Sequence, residues 1–446
     1  MVDNQALRSM ALGAMTVVAV SILTATTLLP ALIAMLGDRV LPGGVVGRVE
    51  RFIGHKVLRR PEKPKPQPGS EVASPFWTRW TARVMARPWT AVIGVSALLL
   101  FLASPILSLE TGTQALKQFP KSSDVRVGNE LAAKELGGGT DPLLLVASFN
   151  RPTPAAQQRS EVAAFTRELE ATPGISSVAP PAFAGESALL QVTTTAPSES
   201  DAALALVDRM RDSVIPASPL SHRASVDVGG ETARGHDVRN QVSGSMWKII
   251  LFVLALSFLV LMVMLRSLLL PLKAVLMNLL SIGAAFGILV AIFQWGWLDG
   301  FLGFEGQGAL DTINVPLIFA IVFGLSMDYE VFLMSRIRER YMRYEDNERA
   351  VAEGLASSAR TISSAALIMT CVFAVFVLTG VPSIKEIGLG SAIAIALDAT
   401  LVRLILVPAA MKLMGRWNWW MPSWLDRALP HLSFEDGAPA PEPDAA

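Results

Sequence analysis

Hydrophobic positions in this chain run in long uncharged blocks, and one polar stretch between them shows the shorter periods of a water-soluble fold. A helix of about 20 residues crosses about 30 Å of hydrocarbon, so each apolar block of that length predicts a membrane span. About seven are predicted: within residues 9–36 and 88–109, then at 247–265, 271–293, 313–334, 362–381 and 387–413. The third and fourth are joined by the short turn RSLLLPLK, and Gly283 with Gly287 gives the fourth a small-xxx-small face for close packing.

The polar stretch reads differently. Helices are predicted at 123–136, 153–171 and 198–213, and strands at 143–149, 175–178, 189–194 and 224–228. That order is a split βαβ layout, an α+β fold of ferredoxin-like type. Its last strand leads through VGGETARGHDVRN into the third span, so movement of the span must be felt by the domain. Gly137–Gly139 reads as a helix stop, since no lysine and Ser/Thr follow at phosphate-loop spacing.

Composition agrees with the membrane reading. With 52% hydrophobic and 17% charged residues and a mean hydropathy of +0.45, the chain is too apolar for an ordinary soluble enzyme. The net charge of zero carries no information about partners, and no nucleic-acid partner is predicted. Cys371 is the single cysteine, which excludes a disulfide framework and a thiolate metal site. His55, His222, His236 and His431 all lie outside the spanning runs, which argues against a histidine proton relay. No nucleophile with a base, metal-ligand spacing or nucleotide loop is visible, so neither an enzyme nor a cofactor is expected.

Lysine and arginine set the orientation. They crowd the loop after the first span (Arg39 to Lys65), the loop after the fifth (Arg336 to Arg360), the turn at Arg266 and Lys273, and the end from Arg416. The positive-inside rule makes all of these cytoplasmic and places 110–245 and the loop around 295–311 outside. Met1 then also falls outside, which reads as the back part of a longer protein.

The predicted organisation is a first span (1–40), a basic and proline-rich cytoplasmic linker (41–76), an interfacial helix with the second span (77–109), the outer domain (110–245), a five-span bundle (246–415), and an aromatic interfacial segment with a disordered tail (416–446).

Candidate chemistry sits in FGLSMDYEVFLMSRIRER, which closes the fifth apolar run. Asp328 lies roughly 12 Å along the helix axis from Arg336, too far for a short side chain to reach the interface. A carboxylate inside a membrane is costly, which makes function the default reading. The apolar setting favours its neutral form, as a group that loads and unloads protons near neutral pH requires. The alternative is a structural aspartate paired with an arginine or a backbone donor. Tyr329 is placed to bond a carboxylate on a facing helix, and Gly324, one turn before Asp328, leaves room for that helix. Asp398 falls near the middle of the last span with Arg403 five residues on, so an ion pair and a relay role both stand for it. Lys385 and Glu386 read as an interfacial pair, and Glu330 and Glu339 as part of the charged end of their helix.

These motifs are not anonymous. FGLSMDYEVFLMSRIRER, with ALDATLVRLILVPAAMKLMGRWNWWMP downstream, resembles the MmpL transporters of the resistance, nodulation and division superfamily. The opening ALRSMALGAMTVVAVSILTATTLLPALIAMLGDR resembles their sixth span, and the remainder their spans seven to twelve with one porter domain. The resemblance implies multi-pass residence in a bacterial cell membrane among its lipids. It implies export of lipids or other hydrophobic or amphipathic small molecules, driven by the proton-motive force through facing Asp-Tyr pairs. Asp328 and Tyr329 match the pair of the second half, with Asp398 and its charge partner Arg403 nearby in the same bundle. A first-half pair and a first porter domain have no counterpart here, so the Asp328 face is expected to meet either a missing N-terminal half or a second copy of the chain. Two other functions fit the same architecture: a sterol-sensing or receptor-like membrane protein, and an inactive or partner-dependent half-transporter fragment.

Overall fold

The structure, a computed structural model, describes residues 5–36, 75–112, 116–136 and 141–429. The basic stretch from Arg39 to Lys65, most of the proline-rich linker, the triple glycine and the tail lie outside the described residues. Among the described residues, seven helices are long and apolar enough to cross a membrane: Ala11–Met35, Pro88–Ser108, Glu231–Leu265, Leu269–Gln294, Asn314–Tyr344, Asn347–Leu378 and Pro382–Trp419. They are called the first to seventh spans below.

Residues 1–72 form one unit, whose described part is the first span. It takes a π-helical turn at Thr24–Leu28. Pro30 supplies no N–H to this turn, and the hydroxyls of Thr24 and Thr27 donate to the carbonyls of Val20 and Leu23 at 2.8 and 2.5 Å.

The second unit, from Ala73 onward, holds everything else. Its described residues include the strands β1 (Thr111–Gly112), β2 (Leu143–Phe149), β3 (Ile175–Val178), β4 (Ala182–Ala184), β5 (Ser187–Thr194), β6 (Ala224–Gly229) and β7 (Leu310–Asp311). Strands β3-β5-β2-β6 form an antiparallel sheet in that order, and β4 pairs with β5. Burial alternates along β2, so Leu143, Leu145 and Ala147 face a core with Val162, Phe165 and Leu169 of helix Ala155–Glu170 and Leu206 and Val207 of helix Asp201–Arg209. The strand β4 escapes a periodicity reading because three residues are too few to show a period.

One residue joins sheet to membrane helix. Gly230 has φ +97°, and a Cβ there would lie 2.8 Å from the Pro142 carbonyl oxygen, so the turn from β6 accepts only glycine. The third span therefore begins at Glu231, sixteen residues before the apolar run, and its polar first turns are helix rather than linker. His236 on this extension lies 2.8 Å from Asp208, and Arg211 of the domain donates to Asp237 at 3.0 Å. The sixth span likewise starts early, at Asn347, where Asp346 caps the amides of Glu348 and Arg349 at 2.9 and 3.2 Å.

The two ends of the bundle differ in character. At one end β1 pairs with β7 in parallel, Lys117 donates to the Gln307 carbonyl at 2.7 Å, and Arg126 meets Glu305 at 2.6 Å. These bonds tie the entry of the sheet domain to the loop between the fourth and fifth spans. At the other end Arg266 pairs with Asp426 at 2.6 Å, Arg338 donates to the Met264 carbonyl, and Lys412 meets Glu348 at 2.5 Å. The described basic loops thus gather opposite the sheet domain.

The Arg126 clamp carries a pH prediction. Its hydrogen bond holds the Glu305 carboxyl below its ordinary value of 4.5. A lowered folded-state value adds stability that is complete above 4.5 and is lost as pH falls through the lowered value. Amide exchange in helix Asp124–Leu136 should therefore accelerate only well below pH 4.5, whereas Arg126→Gln should show fast exchange at neutral pH. Equal protection in both proteins at neutral pH would exclude this clamp as what orders the helix.

Candidate functional site

Where the fourth, fifth and seventh spans meet, a group of polar side chains is buried inside the bundle. Arg403 is fully buried and donates from Nε to Asp398 Oδ2 at 2.9 Å and from Nη1 to Glu330 Oε2 at 3.0 Å. Its Nη2 donates to the Ser326 carbonyl and, at 2.9 Å, to the Ser326 hydroxyl. That hydroxyl lies 2.9 Å from both Asp398 Oδ2 and Asn278 Oδ1, and its single proton serves one of them at a time. Asp398, Glu330, Ser326 and Asn278 are all buried.

The local backbone explains the pairing of Asp398 with Arg403. In an α-helix, residues five apart point about 140° away from each other. Residues Asp398–Leu406 are π-helical, and the wider i→i+5 turn stacks the two side chains. Pro408 lies just beyond and has no N–H to offer the Leu404 carbonyl. Trp80 Nε1 donates to that carbonyl instead, at 3.1 Å.

Asp328 lies elsewhere. It is exposed on the surface of the bundle and has no hydrogen bond or ion pair among the described residues. Gly324, on the same face, is also exposed, and a Cβ built there would meet no atom within 4 Å. No described helix from Ala73 onward covers that face. Tyr329 points a different way: its hydroxyl donates to Met369 Sδ at 2.6 Å rather than to a carboxylate, and the Arg403 guanidinium lies 5.8 Å from its ring centroid. It stands between the open face and the buried cluster.

Several sequence readings need correction. Glu330 is not at the charged end of its helix but inside the cluster, while Glu339 does pair at that end with Arg336, at 3.1 Å. Lys385 and Glu386 do not pair: Lys385 donates to the Leu302 carbonyl, and Glu386 accepts from the Asp311 amide at 3.2 Å. Gly283 and Gly287 pack against Ala103 and Leu102 of the second span, away from Asp328. Glu330 was missed because it follows Asp328 and Tyr329 toward a run of arginines. Its spacing of four from Ser326, which puts both on one helix face, was the available signal.

Carboxylates beside a permanently charged guanidinium can take up or release protons while the arginine fixes their geometry. Among the described residues no group of His, Cys, Asp and Glu is placed to hold a metal ion. The family model described as "MMPL family" matches residues 130–432, a range that contains the fifth and seventh spans and both Asp328 and Arg403.

The chain belongs to the MMPL family.

Among MMPL relatives, it is 40% identical over 444 residues to "Mycolic acid-containing lipids exporter MmpL11" of Mycolicibacterium smegmatis, covering 98% of this chain and 44% of that protein. It is 41% identical over 443 residues to "Heme uptake protein MmpL11" of Mycobacterium tuberculosis, again 98% and 44%. It is 30% identical to "Probable trehalose monomycolate exporter MmpL3" of Mycobacterium leprae, covering 94% of this chain and 45% of that protein. The chain thus spans less than half the length of these MMPL relatives. Family membership and seven apolar helices make it a multi-pass membrane protein.

Proposed function

We propose that this chain is one half of a proton-motive-force-driven exporter of lipids or other amphipathic molecules. The observation that carries this is the arrangement of the fifth span, which places Asp328, without a partner among the described residues, on a face uncovered by the described helices from Ala73 onward and next to Tyr329, whose ring lies 5.8 Å from the guanidinium of the buried arginine–carboxylate cluster. An exposed carboxylate in hydrocarbon is too costly to persist without a role or a partner. The named cargoes of the relatives, mycolic acid-containing lipids and heme, support a hydrophobic substrate.

In this reading the β-α-β-β-α-β sheet is the ferredoxin-like porter domain, outside the cell membrane, and the basic loops and C-terminal segment are cytoplasmic. The Asp328 face pairs with a complementary half or a second copy. Protonation of Asp328 neutralises it, changes that pairing and shifts the fifth span. The third span packs against the fifth, with Leu254 and Phe323 in one apolar cluster, and its one-residue joint at Gly230 carries the shift into the porter domain. A membrane potential supplies about 2.3 kcal/mol per charge per 100 mV.

The test is proton flux in liposomes under an imposed pH gradient, comparing the chain with Asp328→Asn. Flux lost in the variant supports the relay, and equal flux in both removes Asp328 from it. A Gly324→Cys substitution in a Cys371→Ser background separates the two kinds of partner. Cross-linked dimers identify a second copy on this face, and monomers alone point to a complementary half.

A further inference from the structure

The buried cluster contains a charge that none of its direct bonds accounts for. Arg403 contributes one positive charge against the two carboxylates of Asp398 and Glu330, which leaves the bonded group one positive charge short of balance. Lys273, on the fourth span, is 8% exposed, and its Nζ has no hydrogen-bond partner. Its ammonium lies within the electrostatic reach of Glu330 and Arg403. Glu330 Oε1 is also buried and without a partner, since its other oxygen alone takes the Arg403 bond. A buried donor and a buried acceptor, each short of a bond and coupled by charge without a direct ion pair, is the situation a bridging water resolves. With Lys273 charged, the four groups sum to zero.

Position gives the pair a direction. Glu330 lies one helical turn beyond Ser326 toward the basic loops, and Lys273 lies five residues from Asn278 toward the same end. Asp398, Ser326 and Asn278 therefore form the deeper part of the cluster, and Lys273 with Glu330 the part nearer the Arg266 turn.

We propose that Lys273 is the fourth charged member of the cluster, joined to Glu330 through water, and that it passes protons between the cluster and the basic-loop end of the bundle. The second part rests on the proton-relay reading above, whereas the charge balance does not. A lysine suits the task because it can give up its proton when buried, which arginine cannot.

Three variants of the full chain test this by infrared spectroscopy, thermal unfolding and liposome flux. Lys273→Met leaves two carboxylates facing Arg403 alone, so one of them takes a proton from solvent and a new neutral-acid carbonyl band appears. Adding Glu330→Gln removes that band and restores the unfolding temperature. Lys273→Arg keeps the balance, shows no new band, and still loses flux by about a hundredfold, at the low end of what a positioned proton-transferring side chain contributes. Lys273→Met that unfolds like the parent chain without a new band overturns the charge assignment. So does a single variant that fails to fold and is not rescued by Glu330→Gln. Full flux in Lys273→Arg overturns the proton-passing role. Absent flux in the parent chain rejects a relay that works in this half alone, and the band behaving as described leaves the charge balance standing.

Discussion

Replacing Arg403 with methionine is expected to destabilise the bundle by about 3–5 kcal/mol, the loss found when one member of a buried ion pair is removed. Arg403 is fully buried and holds two carboxylates at 2.9 and 3.0 Å, as well as the carbonyl and hydroxyl of Ser326. Methionine fills similar space and satisfies none of these groups. The cost comes from the partners left behind, since an uncompensated buried carboxylate keeps its desolvation penalty without the attraction that offset it. Adding Asp398→Asn should recover most of the loss, because Glu330 then still has Lys273 to balance it. Lysine at 403 should not rescue: one ammonium cannot reproduce a planar fork that reaches two carboxylates and a carbonyl at once. Thermal unfolding followed by tryptophan fluorescence measures all three variants. An Arg403→Met chain within about 1 kcal/mol of the parent would remove the cluster from any account of what holds these spans together.

This cluster also marks how far the sequence could be read. Asp328 stood out because a lone carboxylate interrupts an otherwise spanning run, and a cost argument needs only its position along the helix. Glu330 sits two residues further on toward the arginines, where the same cost argument is blunted, and only the fold shows that it turns inward. Asp398 and Arg403 were visible as charges in an apolar run, but their pairing depends on the π-helical turn, which their spacing of five does not specify. The sheet domain was more legible. The run Leu143–Phe149 alternates buried and less buried positions over seven residues, a period that survives in the sequence. Three-residue β4 and the helical start of the third span did not, the first for want of length and the second because its sixteen residues are polar on most faces.

Two carboxylate environments therefore lie on one helix within three residues. Asp328 faces outward without a partner among the described residues, whereas Glu330 faces inward and is ion-paired. Tyr329 separates them and is anchored to the sixth span through Met369. The inward face of this helix is held by Arg403 through Glu330 and Ser326.

The fourth span makes a second strong prediction through its packing on the second. A Cβ at Gly287 would lie 2.0 Å from the Leu102 carbonyl oxygen and 3.0 Å from Ala103 Cα, and both obstacles are backbone. No side-chain rotation relieves them, so Gly287→Ala must push two helices apart. Overpacking of that kind costs about 1–3 kcal/mol, and the upper end is expected where backbone must move. Gly283→Ala is the matched control, one turn away on the same helix. Its Cβ would rest 3.6 Å from Ala103 Cβ, an ordinary contact, and alanine is favoured over glycine inside a helix by about 1 kcal/mol. Gly283→Ala should therefore leave the unfolding temperature unchanged or raise it, while Gly287→Ala lowers it clearly. Association of helices within a membrane depends on such close approach, because lipid provides no hydrophobic drive to hold them together. Equal behaviour of the two alanine variants would mean that the second and fourth spans do not meet at Gly287.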